Sequence, residues 1–118
     1  MATSGEMLVR LLSAWNEADE DERDAILAEV LDDGFRYEDP HAPAPFEGPD
    51  GMAQYLSIFR ENLPDAVLLP MGSPQVTHST AMVSARIDRD GEPFARLVFV
   101  GAGGEGGLAR VTGFVETG

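Results

Sequence analysis

The spacing of apolar residues changes along this chain, and the change restricts the folds open to it. In the first half they recur at helical spacing: Leu8, Leu11, Leu12 and Trp15, then Ile26, Leu27, Val30 and Leu31, then Met52, Tyr55, Leu56, Phe59 and Leu63. Steps of three and four residues put each set on one face of a helix. Over residues 81–88 the step becomes two, with Ala81, Val83, Ala85 and Ile87 alternating with Met82, Ser84, Arg86 and Asp88. That is a strand with two unlike faces. Helices gathered ahead of strands predict an α+β domain rather than alternating α and β units.

Turn and cap residues divide the elements. Ser4 is placed to cap helix one, which ends in the acids around residues 19–21. The run Asp19-Glu20-Asp21-Glu22 reads as a solvated turn whose negative charge favours the start of helix two, at 22–31. Asp32-Asp33-Gly34 is expected to stop that helix, with Gly34 in a left-handed cap. Pro49 suits the first turn of helix three, and Pro64 closes it. Val67-Leu68-Leu69 and Gln75-Val76-Thr77 read as short strand pieces broken by Pro70 and by Gly72-Ser73-Pro74. Asp90-Gly91 predicts a hairpin turn and Gly103-Gly104-Glu105-Gly106-Gly107 a second, with strands at 94–101 and 108–116. This glycine cluster lacks the Lys-Ser/Thr ending of a phosphate loop. Residues 1–118 are expected to form one domain with one core.

Charge and composition exclude several classes. The chain has 21 acidic residues against 8 basic ones, all arginine, for a formal charge of -13. Such a surface repels phosphate backbones and anionic membranes, so neither nucleic acid nor membrane is an expected partner. No cysteine is present, which removes disulfides and thiolate metal sites. His41 and His78, far apart and without paired carboxylates, make no metal site, and no cofactor is expected. No apolar run approaches the roughly 20 residues of a bilayer span. The stretch Met1-Ala2-Thr3-Ser4-Gly5-Glu6 lacks the basic and apolar regions of a signal peptide, so a cytoplasmic protein is expected.

The segment with the most chemical content is Phe35-Arg36-Tyr37-Glu38-Asp39-Pro40. In a strand, Phe35, Tyr37 and Asp39 share a face. If the two rings face the interior, the carboxylate goes with them, and apolar walls disfavour its charged form, as a general base for carbon acids requires. The other reading is that Asp39-Pro40 simply opens a turn, with the Asp side chain bonded to nearby backbone. Trp15, Tyr55 and Phe59 read first as core and second as pocket walls, and His41 lies two residues past Asp39.

The order of these elements resembles the NTF2-like superfamily, and within it the SnoaL-like and ketosteroid-isomerase-like branch. The residues that carry the resemblance are Asp32-Asp33-Gly34-Phe35-Arg36-Tyr37-Glu38-Asp39-Pro40, Phe46-Glu47-Gly48 and Gly107-Leu108-Ala109-Arg110-Val111-Thr112-Gly113-Phe114. It implies a cone, with three N-terminal helices on a strongly curved antiparallel or mixed sheet enclosing a pocket. It also implies that Asp39 occupies the position of the general base. The two oxyanion-donor positions then fall on Trp15 and Val98, and valine has no donor, so steroid isomerisation by the familiar machinery is not expected. Arg96 shares a strand face with Val98 and Val100, the concave face by resemblance, where it would pair with Asp39 or clamp a polar ligand.

Two functions follow from the resemblance. One is an isomerase, cyclase or dehydratase in which Asp39 takes a proton from a hydrophobic carbonyl-type substrate, with Trp15, Tyr37, His41, Tyr55, Phe59, Arg96, Val98 and Val111 around it. The other is a non-catalytic ligand-binding or scaffold domain. Small residues at Ala81, Val83, Ala85, Val98, Val111 and Gly113 suggest a roomy apolar cavity. The opposite sheet face, expected to carry Met82, Leu97, Phe99 and Phe114, is the expected homodimer surface.

Overall fold

The structure is a computed structural model that describes residues 3–104 and 106–116. Met1 and Ala2 of the N-terminal stretch, and Glu105 of the second glycine turn, lie outside the described residues.

Helix α1 (Ser4–Ser13) continues into a short 3-10 turn (Ala14–Asn16), followed by α2 (Glu20–Val30), β1 (Leu31–Glu38), β2 (Phe46–Glu47) and α3 (Gly48–Asn62). Four longer strands complete the chain: β3 (Ala66–Thr77), β4 (Thr80–Arg89), β5 (Glu92–Gly104) and β6 (Gly107–Val115). They form a six-stranded mixed sheet in the order β2-β1-β6-β5-β4-β3. Pairing is antiparallel except between β1 and β6, which run parallel with Tyr37 opposite Val111.

The expected cone is corrected. The strand order is linear, with β2 and β3 as free edges, so the sheet is open; it is neither closed nor strongly curved, and the helices pack on one of its faces. The small inward residues of β4, Ala81, Val83 and Ala85, are buried beneath α1 rather than lining a hollow. Gly101 on β5 shows why small residues suit this face, since a Cβ there would stand 3.3 Å from Leu8 Cδ1 and 3.2 Å from Val111 Cγ2. Close packing of helix on sheet uses the room that the small residues provide.

Local chemistry moves several boundaries. Thr3, not Ser4, caps α1: its hydroxyl accepts from the Glu6 N–H at 3.1 Å, and the Glu6 carboxylate accepts from the Thr3 N–H at 3.1 Å. Asp19 caps α2 by accepting from the N–H groups of Asp21 and Glu22. Gly34 is no helix cap, because α2 passes directly into β1 at Leu31 and Gly34 lies within the strand. The two pieces expected around Pro70 are one strand, β3, whose register against β4 shifts between Met71 and Gln75. Proline is tolerated there because β3 is an edge strand with an unpaired side. Asp90 (φ 52°) and Gly91 (φ 81°) make the β4–β5 turn, where both residues need left-handed backbone.

One contact fixes the site indirectly. The Asn16 amide acts as a piece of strand: its Nδ2 donates to the Leu68 carbonyl at 2.7 Å and its Oδ1 accepts from the Leu68 N–H at 2.8 Å. The unpaired edge of β3 is satisfied there, and the turn that carries Trp15 is tied to the sheet.

Candidate functional site

Asp39 follows the last residue of β1. Phe35 and Tyr37 are fully buried, and the alternation carries the Asp39 side chain toward the same side, where it is half-buried. Its carboxylate accepts four hydrogen bonds, two on each oxygen. Oδ1 receives the backbone N–H groups of His41 (2.8 Å) and Ala42 (2.9 Å). Oδ2 receives the phenol O–H groups of Tyr37 (2.7 Å) and Tyr55 (2.6 Å). One oxygen thus folds the turn, as the turn reading expects, and the other is held by two phenols of an aromatic cluster.

The centre of that cluster comes from three elements, with rings of two more packed on it. Tyr37 comes from β1 and Tyr55 from α3, with centroids 4.7 Å apart; Trp15 comes from the 3-10 turn, 6.0 Å from each. Phe99 of β5 packs on Trp15 at 5.5 Å and Phe46 of β2 on Tyr55 at 5.4 Å. Burial first, then Tyr55 and Asp39 nearby, push the Tyr37 phenol well above its ordinary value. Burial and then the hydrogen bond to Asp39 push Tyr55 up as well. Both phenols therefore stay protonated at neutral pH and act as donors to Asp39. Gly113 on β6 makes room for them: a Cβ there would lie 3.2 Å from Tyr37 Oη and 3.3 Å from Asp39 Cβ.

A cavity of about 570 Å³ opens beside this cluster, a size that suits a small molecule. Asp39, Trp15 and Tyr55 form one wall, with His41, Ala42 and Pro43 of the following loop at its edge. Ile58, Phe59, Asn62 and Leu63 of α3 form another, and Leu97, Phe99 and Val115 of the sheet a third. Tyr55, Ile58, Phe59 and Asn62 are spaced three, four and seven apart, so one face of α3 supplies that wall.

Of the site residues expected from the sequence, Trp15, Asp39, His41, Tyr55 and Phe59 meet at this cavity. Tyr37 stands behind the wall and touches Asp39 without lining the space. Val111 is buried in the core of β6, away from it. Arg96 and Val98 are placed wrongly by the resemblance. On β5 it is Leu97 and Phe99 that face the helices, at 7% and 1% exposure, while Arg96 is exposed on the far side of the sheet. Arg96 is thus no partner for Asp39. Side chains alternate across a strand, so a slip of one residue inverts every assignment. The signal that would have corrected it is Arg96 itself, because an arginine within a strand marks the face that meets water. Leu97 and Phe99 also lack a side-chain donor, so β5 offers no side-chain oxyanion contact on the face that meets the cavity. His78 sits in the β3–β4 turn with φ 51°, remote from the cavity. Phe46, Ile58, Asn62 and Phe94 line the cavity without having been expected from the sequence.

No protein-family model matches the chain, and no curated protein matches it by sequence. Solved structures do. A SnoaL-like family protein from Agrobacterium tumefaciens str. C58, described as a candidate isomerase, superposes with a TM-score of 0.86 at 26% identity, over 94% of this chain and 95% of that one. A SnoaL-like candidate polyketide cyclase from Jannaschia sp. CCS1 gives 0.77 at 18% identity, over 96% and 85%. An NTF2-like protein of unknown function from Cytophaga hutchinsonii ATCC 33406 gives 0.71 at 11% identity, over 98% and 92%. The last two are similar in fold alone; the first adds sequence likeness along nearly the whole length of both chains. With the element order and the placement of Asp39 at the end of β1, these likenesses show that the chain has the NTF2-like fold and is similar to proteins of the SnoaL-like branch.

Proposed function

We propose that this protein is a small-molecule pocket protein that takes a compact, largely apolar molecule into the cavity between α3 and the sheet. The supporting observation is the wall itself: aromatic and aliphatic side chains on several sides and a single carboxylate, Asp39, at one end. Such a site gains affinity from buried apolar surface and orientation from the polar group. The reading assigns residues 1–118 to one pocket-bearing domain and the cytoplasm as its compartment.

A catalytic form of the same reading has its own support in the likeness to the Agrobacterium protein described as a candidate isomerase. Here Asp39 takes a proton beside a carbonyl and the reaction is an isomerisation, cyclisation or dehydration. Opposing it, both oxygens of Asp39 are already engaged by two donors each. A substrate proton is accepted only if Tyr37 or Tyr55 gives up its bond to Oδ2. The binding reading asks for no such exchange and is preferred.

Trp15 is the only tryptophan and lines the cavity, so it reports on occupancy. Titration with a non-absorbing alicyclic alcohol is expected to change its emission along a saturating curve. Leu97→Phe, which fills the space from the sheet side and leaves Trp15 the only tryptophan, is expected to weaken that binding by about tenfold through overpacking. An unchanged emission spectrum in the wild type at millimolar alcohol contradicts the reading.

We also propose a homodimer through the outer sheet face, with a corrected residue set. Leu97 and Phe99 belong to the interior. The outer face carries Met71, Val98 and Phe114 in one cross-strand row and Met82 and Val100 in the next. Met82 is 42% and Phe114 52% exposed. Covering such side chains is what a two-fold interface achieves. Sedimentation is expected to give twice the chain mass, and Phe114→Arg is expected to give the monomer. A wild-type monomer at micromolar concentration contradicts this interface.

A further inference from the structure

The charges around the cavity point to the class of ligand it takes. Among the described residues that line it, Asp39 alone carries a formal charge, apart from His41, which is exposed at the rim. All four hydrogen-bond partners of Asp39 are uncharged: two backbone N–H groups and two phenols. They satisfy its lone pairs but leave its negative charge uncompensated. No arginine is among the described residues that line the cavity. Arg96 is on the far face of the sheet, and Arg60 donates to the Trp15 carbonyl at 3.1 Å. Arg89 lies 5.5 Å from the ring centre of Phe94, at the cavity wall, but is tied to Asp65 by two hydrogen bonds of 3.2 and 3.0 Å.

A negative charge among apolar walls acts at longer range than one in water, because little solvent screens it. The whole chain adds to that field with its charge of -13. Carboxylate and phosphate ligands are therefore disfavoured at this site. The rings beside Asp39 work the other way. Trp15, Tyr55 and Phe46 line the same cavity as Asp39, packed edge to face on one another, and aromatic rings attract cations over their faces. A carboxylate with aromatic faces beside it favours an organic cation over a neutral molecule of the same shape.

We propose that the cavity selects an apolar molecule carrying a protonated amine, with the ammonium beside Asp39 and the apolar body between Phe59 of α3 and Phe99 of the sheet. The inference rests on the reading that the cavity binds small molecules and adds the charge of what it binds.

The test is a matched series on one apolar body: naphthylmethylamine, naphthalenemethanol and naphthoate, each followed by the Trp15 indole N–H signal in NMR titrations. The amine is expected to bind about tenfold more tightly than the alcohol, and the carboxylate most weakly. In Asp39→Asn the amine and the alcohol are expected to converge to within about twofold, since the amide keeps the shape but not the charge. Should that variant not fold, the wild-type series decides by itself. An alcohol that matches the amine, or a carboxylate that equals it, overturns the inference and leaves the pocket reading standing. A series in which none of the three moves the indole signal overturns both.

Discussion

Replacing Trp15 by alanine is expected to lower stability by about 3–5 kcal/mol, the largest effect of any single change at the site. The indole is 1% exposed and makes ring contacts with Tyr37, Tyr55 and Phe99, which belong to three separate elements. The space it leaves has little means of closing. The turn that carries it is held by the Asn16 amide on Leu68 and by Arg60 on the Trp15 carbonyl. The void therefore merges with the existing cavity, and the lost packing adds to the lost burial. Urea unfolding should show a lower midpoint with an unchanged slope. Trp15→Phe, which keeps an aromatic body, is expected to cost less than half as much. A Trp15→Ala midpoint shift worth under about 1 kcal/mol would mean that the indole is not the keystone of this cluster.

Asp39→Ala carries the second large effect, about 2–4 kcal/mol. The loss comes from the donors left behind more than from the carboxylate itself. The Tyr37 phenol is buried and keeps only a 3.5 Å contact to Tyr55, while the N–H groups of His41 and Ala42 lose the acceptor that folds their turn. An unmade bond at a buried donor costs more than a made one contributes. Asp39→Asn keeps one carbonyl oxygen as an acceptor and is expected to cost less than half as much as alanine. Tyr37→Phe is expected to cost about 1 kcal/mol, and in combination with Asp39→Ala to add less than the sum, because the two changes remove one shared bond. Chemical denaturation of the four variants measures all of this. Equal costs for alanine and asparagine would show that the donors do not depend on Asp39.

The sequence disclosed some parts of this molecule and hid others, for physical reasons. Helix positions and the β4 alternation were legible because periodicity is local: Leu8, Leu11 and Leu12 are buried on one face, as are Ala81, Val83 and Ala85. The direction of Asp39 was legible for the same reason, through Phe35 and Tyr37. The faces of β5 were not, because the resemblance set the register and overrode the plain signal of Arg96. Sheet shape was hidden because curvature depends on how strands twist against their neighbours, which no single segment records. Gly34 misled because a glycine after a helix suits a cap, whereas here α2 runs straight into β1. The saturation of Asp39 depends on Tyr55, sixteen residues away on another element, and on the fold of the turn at His41 and Ala42. Pairings between distant elements leave no periodic trace.

The most direct test of the account is a crystal soaked with a brominated naphthalenemethanol, with the bromine located by its anomalous signal. One bromine site is expected, in the space bounded by Asp39, Tyr55, Phe59 and Phe99, with Asp39 still held by Tyr37 and Tyr55. Bromine found only elsewhere on the protein, or that space occupied by collapsed side chains in the soaked crystal, would contradict it.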